Sequence, residues 1–525
     1  MADGAPHTTE AVGAPPEVKD IQQEEAEQKV DPYTVAGARD ADGNLKAIDY
    51  EVLRQKFNTP ALTEEHLKRF EQVTGKPPHR LMRRKLFFSH RDFDQILDQY
   101  EKYGFFMLYT GRGPSSGSMH LGHSVPFLFT KELQEIFDVP LVIMLTDDEK
   151  FLYTRNKNQG KPTPGASLKD FMQYARDNAK DIIALGFDPK KTFIYTDYDY
   201  VGGHFYQNIS EFEALLTNNQ IRGALGFDGS TNVGLNAYAA KQCVAAFASS
   251  YPELFGADDY RPPDWKEDRP RKSIAAIPTL IPCAIDQEPW FRLVRENCDR
   301  MENPSPKTSL ILSKFLTALQ GAGGKMSASD PNSAIFMSDT SKQIEKKINK
   351  YAFSGGGATK EEHEKFGGNP EVDVAYAYLS YFLESDDELK EIEANYRKGT
   401  LTTGELKKKC IGELQKFVGA FQERRSQVTD EVMREFMRPR KLEFKGNPNP
   451  TIGGGLEAYG QLIGKKGGPS QSGERTVLSN RGTTKKERKD AKNAEKRAEK
   501  MAAKEKKEQG GEQVSEAAET KEPSA

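Results

Sequence analysis

Two histidines three positions apart stand where a glycine-rich turn leads toward an expected helix. Residues 111–123 read GRGPSSGSMHLGH and follow the short apolar stretch 105–109, which is typical of a strand. His120 and His123 therefore share one face at the helix start, beside the positive end of its dipole. This arrangement suits an α-phosphate whose negative charge increases in a transition state. Taken alone, the pattern also fits a glycine turn with two ordinary surface histidines.

A lysine motif far downstream could complete a triphosphate site. Residues 321–329 read GAGGKMSAS, so that three glycines precede Lys325. A lysine on such a loop can move toward the β- and γ-phosphates of ATP and neutralise charge as pyrophosphate leaves. The hydroxyl groups of Ser327 and Ser329 can add hydrogen bonds. Alone, this motif fits a solvated loop equally well, but the two motifs together predict one ATP site.

Alternating strands and helices are expected to position these motifs. Apolar stretches predict strands at 105–109, 141–146, 192–195, 279–285 and, more weakly, 309–316, with a helix over about 120–137. This alternation predicts an α/β fold with a doubly wound parallel sheet, in which ligands gather at the carboxyl ends of the strands. Upstream, Ser89 has the side chain of a helix N-cap, and the residues after it show helical spacing from Phe93 onward.

Beyond about residue 330 the strand patterns stop. Apolar residues in 374–382 and 414–421 recur at helical spacing, which predicts a separate helical region. The two ends of the chain differ in charge, because residues 1–30 carry a net charge of −5 and residues 485–508 a net charge of +5. We expect disorder over 1–30 and over most of 445–525, and we hypothesise that the basic tract 485–508 adds non-specific affinity for RNA.

Composition excludes other classes of protein. The length of 525 residues predicts two or three domains. The four cysteines form no CxxC pair, so neither a disulfide framework nor a zinc site is expected. The acidic N-terminus lacks the apolar segment of a signal peptide, and the apolar runs are too short to cross a bilayer. We therefore expect a cytoplasmic protein without a membrane partner.

Longer strings identify a family. HLGH and KMSAS resemble the HIGH and KMSKS signatures of the class I aminoacyl-tRNA synthetases. The strings YTGRGPSS, PLVIMLTDDEK, IPCAIDQEPWF, KMSASDPNSAIF and EFMRPRKL resemble those of the eukaryotic cytoplasmic tryptophanyl-tRNA synthetases. The resemblance covers residues 30–444. It implies an ATP-dependent ligase that forms tryptophanyl-adenylate and transfers tryptophan to tRNA(Trp) for protein biosynthesis.

The resemblance also implies roles for individual residues. His120, His123 and Lys325 would be catalytic. ATP would be bound by Gly111, Arg112, Gly113, Gly122, Glu149, Lys325, Met326, Ser327 and Ser329. Tryptophan would be bound by Tyr109, Met144, Glu149, Gln242 and Gln287. Weaker candidates for contacts to tRNA phosphates are Lys407, Lys408, Lys409, Arg424 and Arg425, for which a solvated helix face is an equal alternative.

One position departs from the family. Animal relatives carry glutamine where Met144 stands, and that glutamine helps to bind the indole N–H. A thioether is only a weak acceptor. Either Met144 packs on the indole face, or Tyr109 or another group accepts the indole proton.

Domain boundaries and partners follow from the resemblance as well. The expected segments are a disordered N-terminal stretch (1–30), an N-terminal extension (31–103) whose start folds over the ATP site, a Rossmann-like catalytic domain (104–329), an α-helical anticodon-binding domain (330–428), a return to the catalytic domain (429–444) and a disordered tail (445–525). Relatives are homodimers. ATP is a substrate accompanied by Mg²⁺, and neither a structural metal nor DNA is expected.

Three alternatives remain at this stage. A tyrosyl-tRNA synthetase shares the fold and both motifs. Another HxGH-bearing nucleotidyltransferase, for example one that makes a dinucleotide cofactor, has no need of a helical anticodon domain. A non-catalytic RNA-binding or signalling relative of a synthetase predicts decay of one motif, whereas both are intact here.

Overall fold

The computed structural model describes residues 27–40, 43, 45–255, 274–328 and 330–444. All of these residues belong to one compact unit. The predictions for residues 1–26, for the tail 445–525 with its basic tract 485–508, and for Ser329 concern residues outside these ranges. The predicted N-terminal boundary is slightly late, because Lys29–Val30 already forms a strand and the Gln28 side chain donates to the carbonyl of Asp49 at 2.9 Å.

The strands, in chain order, are β1 (Lys29–Val30), β2 (Val35–Ala36), β3 (Phe87–Arg91), β4 (Met107–Arg112), β5 (Leu141–Leu145), β6 (Thr192–Thr196), β7 (Thr279–Ala284), β8 (Ser309–Ser313), β9 (Thr317–Ala318) and β10 (Gly321–Lys325). The strands predicted from the sequence are all present, with ends shifted by a few residues. Every residue of β5, β6 and β8 is buried, which explains why these strands are continuous apolar runs rather than alternating patterns.

The helices are α1 (Tyr50–Lys56), α2 (Glu64–Thr74), α3 (Arg80–Arg83), α4 (Phe93–Tyr103), α5 (Leu121–Phe137), α6 (Asp147–Lys157), α7 (Leu168–Ala184), α8 (Asp197–Tyr200), α9 (Gly203–Leu215), α10 (Asn218–Leu225), α11 (Val233–Val244), α12 (Pro252–Phe255), α13 (Glu288–Asn297), α14 (Ser341–Tyr351), α15 (Lys360–Phe366), α16 (Val374–Phe382), α17 (Asp386–Arg397), α18 (Thr403–Ser426) and α19 (Asp430–Met437). Within the described ranges, no helix combines the length and the apolar character that spanning a membrane requires.

A six-stranded sheet forms the centre of the fold. Its strand order is β3-β8-β7-β4-β5-β6, and all neighbouring pairs are parallel except β3 with β8. From β4 the chain continues outward to β5 and β6, and later returns to place β7 on the other side of β4. This reversal makes the crevice at the carboxyl ends of β4 and β7 the expected binding position of a doubly wound sheet.

The edge strand β3 corrects one expectation from the sequence. Ser89 is not the N-cap of a helix, because it lies inside β3 and its hydroxyl donates to Thr59 Oγ1 at 2.7 Å. Helix α4 instead begins at Phe93, after Asp92 with φ +48°. The strand exists because it pairs with β8, whose residues are far away in the sequence, so no local pattern around Ser89 reports it.

The helical region after residue 330 packs directly against elements that surround the central sheet. Helix α18 begins with a capping box between Thr402 and Glu405 and buries an apolar face against α14, α16 and α7. A second attachment is at the end of α16, where the Arg84 guanidinium donates to the carbonyls of Ser380 and Leu383 at 2.8 and 2.7 Å. The end of the described chain then returns to the sheet, as the Glu443 amide donates to the Lys190 carbonyl at 3.0 Å.

Arg440 holds this returning segment. It is 4% exposed, and its guanidinium donates to the carbonyl of Pro189 at 2.6 Å and to that of Thr192 at 2.8 Å. It also donates to the carbonyl of Arg438 at 3.1 Å. These bonds connect the segment after α19 to the beginning of β6.

We predict that Arg440→Ala lowers the free energy of unfolding by about 2–4 kcal/mol, because several buried carbonyl groups lose a charged donor. Urea unfolding followed by circular dichroism measures the change. Arg434→Ala is the matched control, since the Arg434 side chain is 68% exposed and, among the described residues, forms its ion pair with Glu431 of the same helix. Equal unfolding midpoints for the two variants would contradict the assignment.

Candidate active site

Backbone pairing brings the two sequence motifs together. The amide of Leu121 donates to the carbonyl of Ile335 at 2.9 Å, and the amide of Met337 donates to the carbonyl of Met119 at 2.9 Å. His120 forms the bridge between these bonds with Phe336. The start of α5 and the segment after the lysine motif are therefore joined, and both motifs face the same crevice.

A cavity of about 250 Å³ occupies this crevice. The predicted residues that line it are Tyr109, Gly111, Arg112, Gly113, His123, Glu149, Gln242, Gln287 and Lys325. An adjoining cavity of about 120 Å³ is lined by His120, Gly122 and Met326, and it shares His123, Asp286 and Lys325 with the first. Met144 and Ser327 line neither cavity. The structure thus collects most of the predicted residues at the carboxyl ends of β4 and β7.

The two histidines stack at the start of α5. Their ring centroids are 3.5 Å apart, and the amide of His120 donates to His123 Nδ1 at 3.4 Å. Both ring nitrogens of His120 are buried without a hydrogen-bond partner among the described residues. Burial, with Arg112 and Lys325 nearby, lowers the pKa of His120 to about 3 and that of His123 well below its ordinary value. The neutral His120 ring therefore has a free N–H group that can donate to a ligand oxygen, while Nδ1 of His123 already accepts from the His120 amide.

Two glycines of the first motif make room for side chains. A Cβ on Gly113 would lie 2.0 Å from Lys150 Cε, so a larger residue here would move the end of this lysine from its place beside the cavity. A Cβ on Gly122 would lie 3.2 Å from the His120 ring and 3.5 Å from Met326 Sδ. The space beside Gly122 is therefore occupied by the His120 ring and by Met326 of the lysine motif.

Arg112 is fully enclosed at the end of β4. Its Nε donates to the side-chain oxygen of Asn178, and this asparagine donates in turn to the carbonyl of Ser116 at 2.7 Å. Burial lowers the pKa of Arg112 to about 10. The guanidinium stays charged at neutral pH, and its Nη2 has no described partner, so it is positioned to contribute positive charge to the phosphate end of the cavity.

Lys325 points into the cavity and pairs with a buried carboxylate. Its Nζ lies 3.0 Å from Asp286 Oδ2, and its side chain remains 42% exposed. Asp286 is 3% exposed and its second oxygen has no described partner. Gly321 and Gly323 have φ angles of +99° and +98°, which side-chain-bearing residues rarely adopt. The lysine therefore sits on a strand whose backbone requires glycine.

The N-terminal hairpin β1–β2 covers the cavity. Tyr33, in the turn between its strands, stacks on Tyr153 at a centroid distance of 4.8 Å and lines the cavity wall. The amide of Gly37 donates to the carbonyl of Gly323 at 2.9 Å, which connects the hairpin to the strand that carries Lys325. Residues 30–35 were expected to fold over the ATP site, and the structure places them beside both motifs.

The opposite end of the cavity is aromatic and sparsely polar. Tyr109 and Phe291 meet edge to face with centroids 6.3 Å apart. Gln242 donates to the Tyr109 hydroxyl at 3.4 Å and accepts from the Tyr238 hydroxyl at 2.7 Å. Met144 is completely buried behind Tyr109, outside the cavity wall, so it neither packs on a ligand face nor replaces a direct ligand contact.

Acidic residues follow β5 in the sequence TDDEK. Glu149 is 5% exposed, lines the cavity and pairs with Lys150 at 3.0 Å. Asp148 pairs with Lys241 from α11. Burial and the Asp148 carboxylate raise the pKa of Asp197 well above its ordinary value. Of these acids, Glu149 is the one that can meet a ligand amine.

The cations suggested for tRNA contacts are used within the chain. Lys407 donates to the Ala352 carbonyl at 2.9 Å, Arg424 to the Ala184 carbonyl at 2.7 Å, and Arg425 to Asp181 at 2.7 Å. These bonds attach α18 to neighbouring helices, which gives these three residues a structural role. Lys408 and Lys409 are exposed, and Lys409 pairs with Glu388 at 3.4 Å. Contacts to tRNA phosphates stay a prediction for all five residues.

Sequence reasoning missed some of the residues that build the site. They are Tyr33, Lys150, Asn178, Tyr238 and Asp286. Lys150 and Asp286 directly neighbour Glu149 and Gln287, which the sequence analysis named. Both follow a buried strand, and this position could have marked them as site residues. Nothing local marks Asn178 or Tyr238. No group of three His, Cys, Asp or Glu side chains that could hold a metal is found in the part of the chain described.

Comparison with known proteins identifies relatives. A family model described as tRNA synthetases class I (W and Y) matches residues 101–419. The cytoplasmic tryptophan–tRNA ligase of Schizosaccharomyces pombe is 52% identical over 420 residues, which cover 80% of this chain and 99% of that protein. The protein of the same name from Homo sapiens is 47% identical over 423 residues, covering 80% and 83%. The solved structure of a tryptophanyl-tRNA synthetase from Giardia lamblia is similar with a TM-score of 0.68 and 41% identity, covering 75% of this chain and 97% of that one.

We predict that both histidines of the first motif stay neutral in the ligand-free protein down to about pH 5, because burial disfavours the charged imidazolium. Nuclear magnetic resonance of histidine-labelled protein measures this, with His120→Asn and His123→Asn used to assign the signals. A titration midpoint near the ordinary value of about 6.5 for either ring would contradict the geometry.

Proposed function

The chain belongs to the class I tRNA synthetases of the tryptophan and tyrosine group, and from this premise we propose that it is a cytoplasmic tryptophan–tRNA ligase. It activates L-tryptophan with ATP to tryptophanyl-adenylate and transfers the amino acid to tRNA(Trp). The observation that carries the proposal is one cavity that His123 and Lys325 line together with Tyr109 and Gln242. Phosphate-binding and ring-binding groups thereby face the same space.

The first step is an in-line displacement at phosphorus. A carboxylate oxygen of tryptophan forms a bond to the α-phosphorus of ATP, and the bond to the bridging oxygen of the β-phosphate breaks. Pyrophosphate leaves with the electron pair of that bond. The carboxylate is already a nucleophile, so positioning and charge stabilisation carry the catalysis without a covalent enzyme intermediate.

His120 and His123 supply hydrogen bonds to the α-phosphate. Each neutral imidazole keeps one ring N–H, and this group can donate to the oxygens on which negative charge grows. Such preorganised donors act strongly in a site that excludes water. Arg112, held by Asn178, adds a fixed positive charge at the end of β4.

Lys325 acts on the leaving group. In the ligand-free chain it pairs with Asp286 at 3.0 Å, which holds the ammonium inside the cavity. When ATP enters as its magnesium complex, the ammonium exchanges this carboxylate for the β- and γ-phosphate oxygens. Ser327 and Ser329, beside it in the chain, supply hydroxyl groups to the same oxygens.

The tryptophan end of the cavity provides shape and a few polar groups. Tyr109 and Phe291 enclose the indole, while Glu149 and Gln287 meet the ammonium and its neighbouring atoms. A tyrosine side chain would fill this space less completely and would leave different polar groups unpaired. The relatives named above are tryptophan enzymes, which also favours the indole.

The second step transfers tryptophan to the terminal ribose of tRNA(Trp), at the 2′-hydroxyl in class I enzymes. The helical layer 330–428 reads the anticodon, and exposed Lys408 and Lys409 contact phosphates. The working form is a homodimer, across which one tRNA extends. Sedimentation equilibrium tests the dimer, and a monomer at micromolar concentration would contradict it.

We predict that His123→Ala and Lys325→Ala each slow tryptophan-dependent ATP–pyrophosphate exchange by about 100- to 1000-fold, because each removes a charge-stabilising donor. His204→Asn and Lys342→Ala, at exposed positions outside the cavity, are the matched controls and should retain the wild-type rate. Unchanged exchange in both active-site variants would rule out the proposed catalytic site.

A panel of amino acids in the same exchange assay tests the substrate. We expect tryptophan to support exchange and tyrosine to support at most about one hundredth of that rate, because a site built around hydrogen bonds to one ring rejects another strongly. Preference for tyrosine would favour the tyrosyl-tRNA synthetase alternative. Exchange that is independent of any amino acid would point to another nucleotidyltransferase.

A further inference from the structure

Four side chains form a continuous hydrogen-bonded line at the aromatic end of the cavity. Tyr238 donates to Gln242 Oε1 at 2.7 Å, Gln242 Nε2 donates to the Tyr109 hydroxyl at 3.4 Å, and Tyr109 donates to Met144 Sδ at 3.1 Å. The first three residues line the cavity, and Met144 lies behind them with no exposed surface. The line of hydrogen bonds therefore follows the cavity wall from Tyr238 to Tyr109 and ends at Met144 in the core.

The chemistry of Met144 sets the direction of this line. A thioether has lone pairs but no proton, so it can only accept a hydrogen bond. Tyr109 has one proton, and burial raises its pKa well above its ordinary value, so the hydroxyl stays protonated. With that proton directed at the sulfur, the hydroxyl presents only its oxygen lone pairs to its other neighbours. One lone pair accepts the hydrogen bond from the side-chain amide of Gln242.

The other end of the line is directed as well. The oxygen of Gln242 is occupied by the Tyr238 hydroxyl, so the amide turns its NH₂ group toward Tyr109 and the cavity. Gln242 thus donates and Tyr109 accepts. Phe291 packs edge to face against Tyr109, and Ile281 lines the same cavity. A ligand that places a donor beside Tyr109 is consequently the one this arrangement satisfies.

We propose that Met144 is a specificity-determining positioning residue. Its sulfur accepts the hydrogen bond from the Tyr109 hydroxyl, so that the tyrosine oxygen can only accept a hydrogen bond from the indole N–H. This inference rests on the proposed function, because it concerns how the tryptophan site reads its ligand. Met144 acts through Tyr109 and does not touch the substrate. It selects rings that carry a donor at the position of the indole nitrogen.

The consequence concerns ligands that lack the donor. L-3-benzothienylalanine has nearly the shape of tryptophan with sulfur in place of the N–H group. In the wild-type site its ring leaves the acceptor of Tyr109 unmatched, whereas tryptophan satisfies it. If the sulfur of Met144 is removed, the proton of Tyr109 loses its buried acceptor and the hydroxyl can turn toward the cavity. The preference for a donor-bearing ring then falls.

The test compares kcat/KM for tryptophan and for L-3-benzothienylalanine in ATP–pyrophosphate exchange. We expect the wild-type chain to prefer tryptophan by at least about 10-fold, and Met144→Leu to reduce that ratio by about 3- to 10-fold. Leucine keeps nearly the volume of methionine, so folding should survive. Met107→Leu, another fully buried methionine of the same sheet, is the matched control and should leave the ratio unchanged.

A double-mutant cycle separates this role from general damage to the pocket. Tyr109→Phe removes the hydroxyl and should lower the ratio by itself, and adding Met144→Leu to it should lower the ratio no further. Damage to packing would instead reduce both substrates together and leave the ratio intact. Met144→Ile serves as a second sulfur-free variant if the leucine variant is insoluble, and the same loss of ratio is expected.

A ratio that stays at the wild-type value in a folded Met144→Leu or Met144→Ile protein, while tryptophan still supports exchange, would overturn the inference and leave the proposed function standing. A further loss of ratio on adding Met144→Leu to Tyr109→Phe would overturn it as well. Absence of tryptophan-dependent exchange in the wild-type chain would instead contradict the proposed function. The two failures are therefore distinguishable.

Discussion

The site depends on the backbone pairing between the start of α5 and the segment after the lysine motif. Three consecutive residues, 119–121, face 335–337 through amide–carbonyl bonds of 2.9 Å. Backbone bonds between buried segments have few alternative partners, so they hold the histidine pair and Lys325 toward one crevice. The N-terminal hairpin then adds a second attachment through Gly37 and Gly323. The cavity that we propose to hold ATP is thus assembled from three distant parts of the chain by main-chain contacts.

Burial determines how the charged groups of this site behave. The same enclosure that lowers the pKa of His120 to about 3 leaves Arg112 charged, because the guanidinium starts from a much higher value. The phosphate end therefore contains neutral donors together with fixed positive charge. At the aromatic end, burial raises the pKa of Tyr109 well above its ordinary value, so the hydroxyl stays protonated. This difference between the two ends agrees with the proposed function, in which one end takes an anionic phosphate and the other an uncharged ring.

The aromatic end also illustrates how a residue outside a cavity can decide what the cavity accepts. In a line of hydrogen-bonded side chains, each donor fixes the direction of the next bond. A member that can only accept, as a thioether sulfur can, therefore sets the direction of the whole line. Glutamine at position 144 could both donate and accept, so it would leave the direction of the Tyr109 proton open. Methionine removes that freedom. This is a physical reason why a weakly polar substitution can coexist with recognition of an indole.

Local patterns in the sequence were sufficient for the α/β alternation, the helical region after 330 and the two motifs, because periodicity and motif spacing are properties of neighbouring residues. The family came from the resemblance of longer strings to known synthetases. Local patterns could not place Met144 behind Tyr109, assign Ser89 to a strand, or reveal that Arg424 and Arg425 attach α18 to its neighbours. Nor could they find the partners Asp286 for Lys325 and Asn178 for Arg112. Those facts depend on which distant segments pack together, and only the tertiary structure decides that, since burial and pairing arise from long-range contacts that no local stretch of sequence encodes.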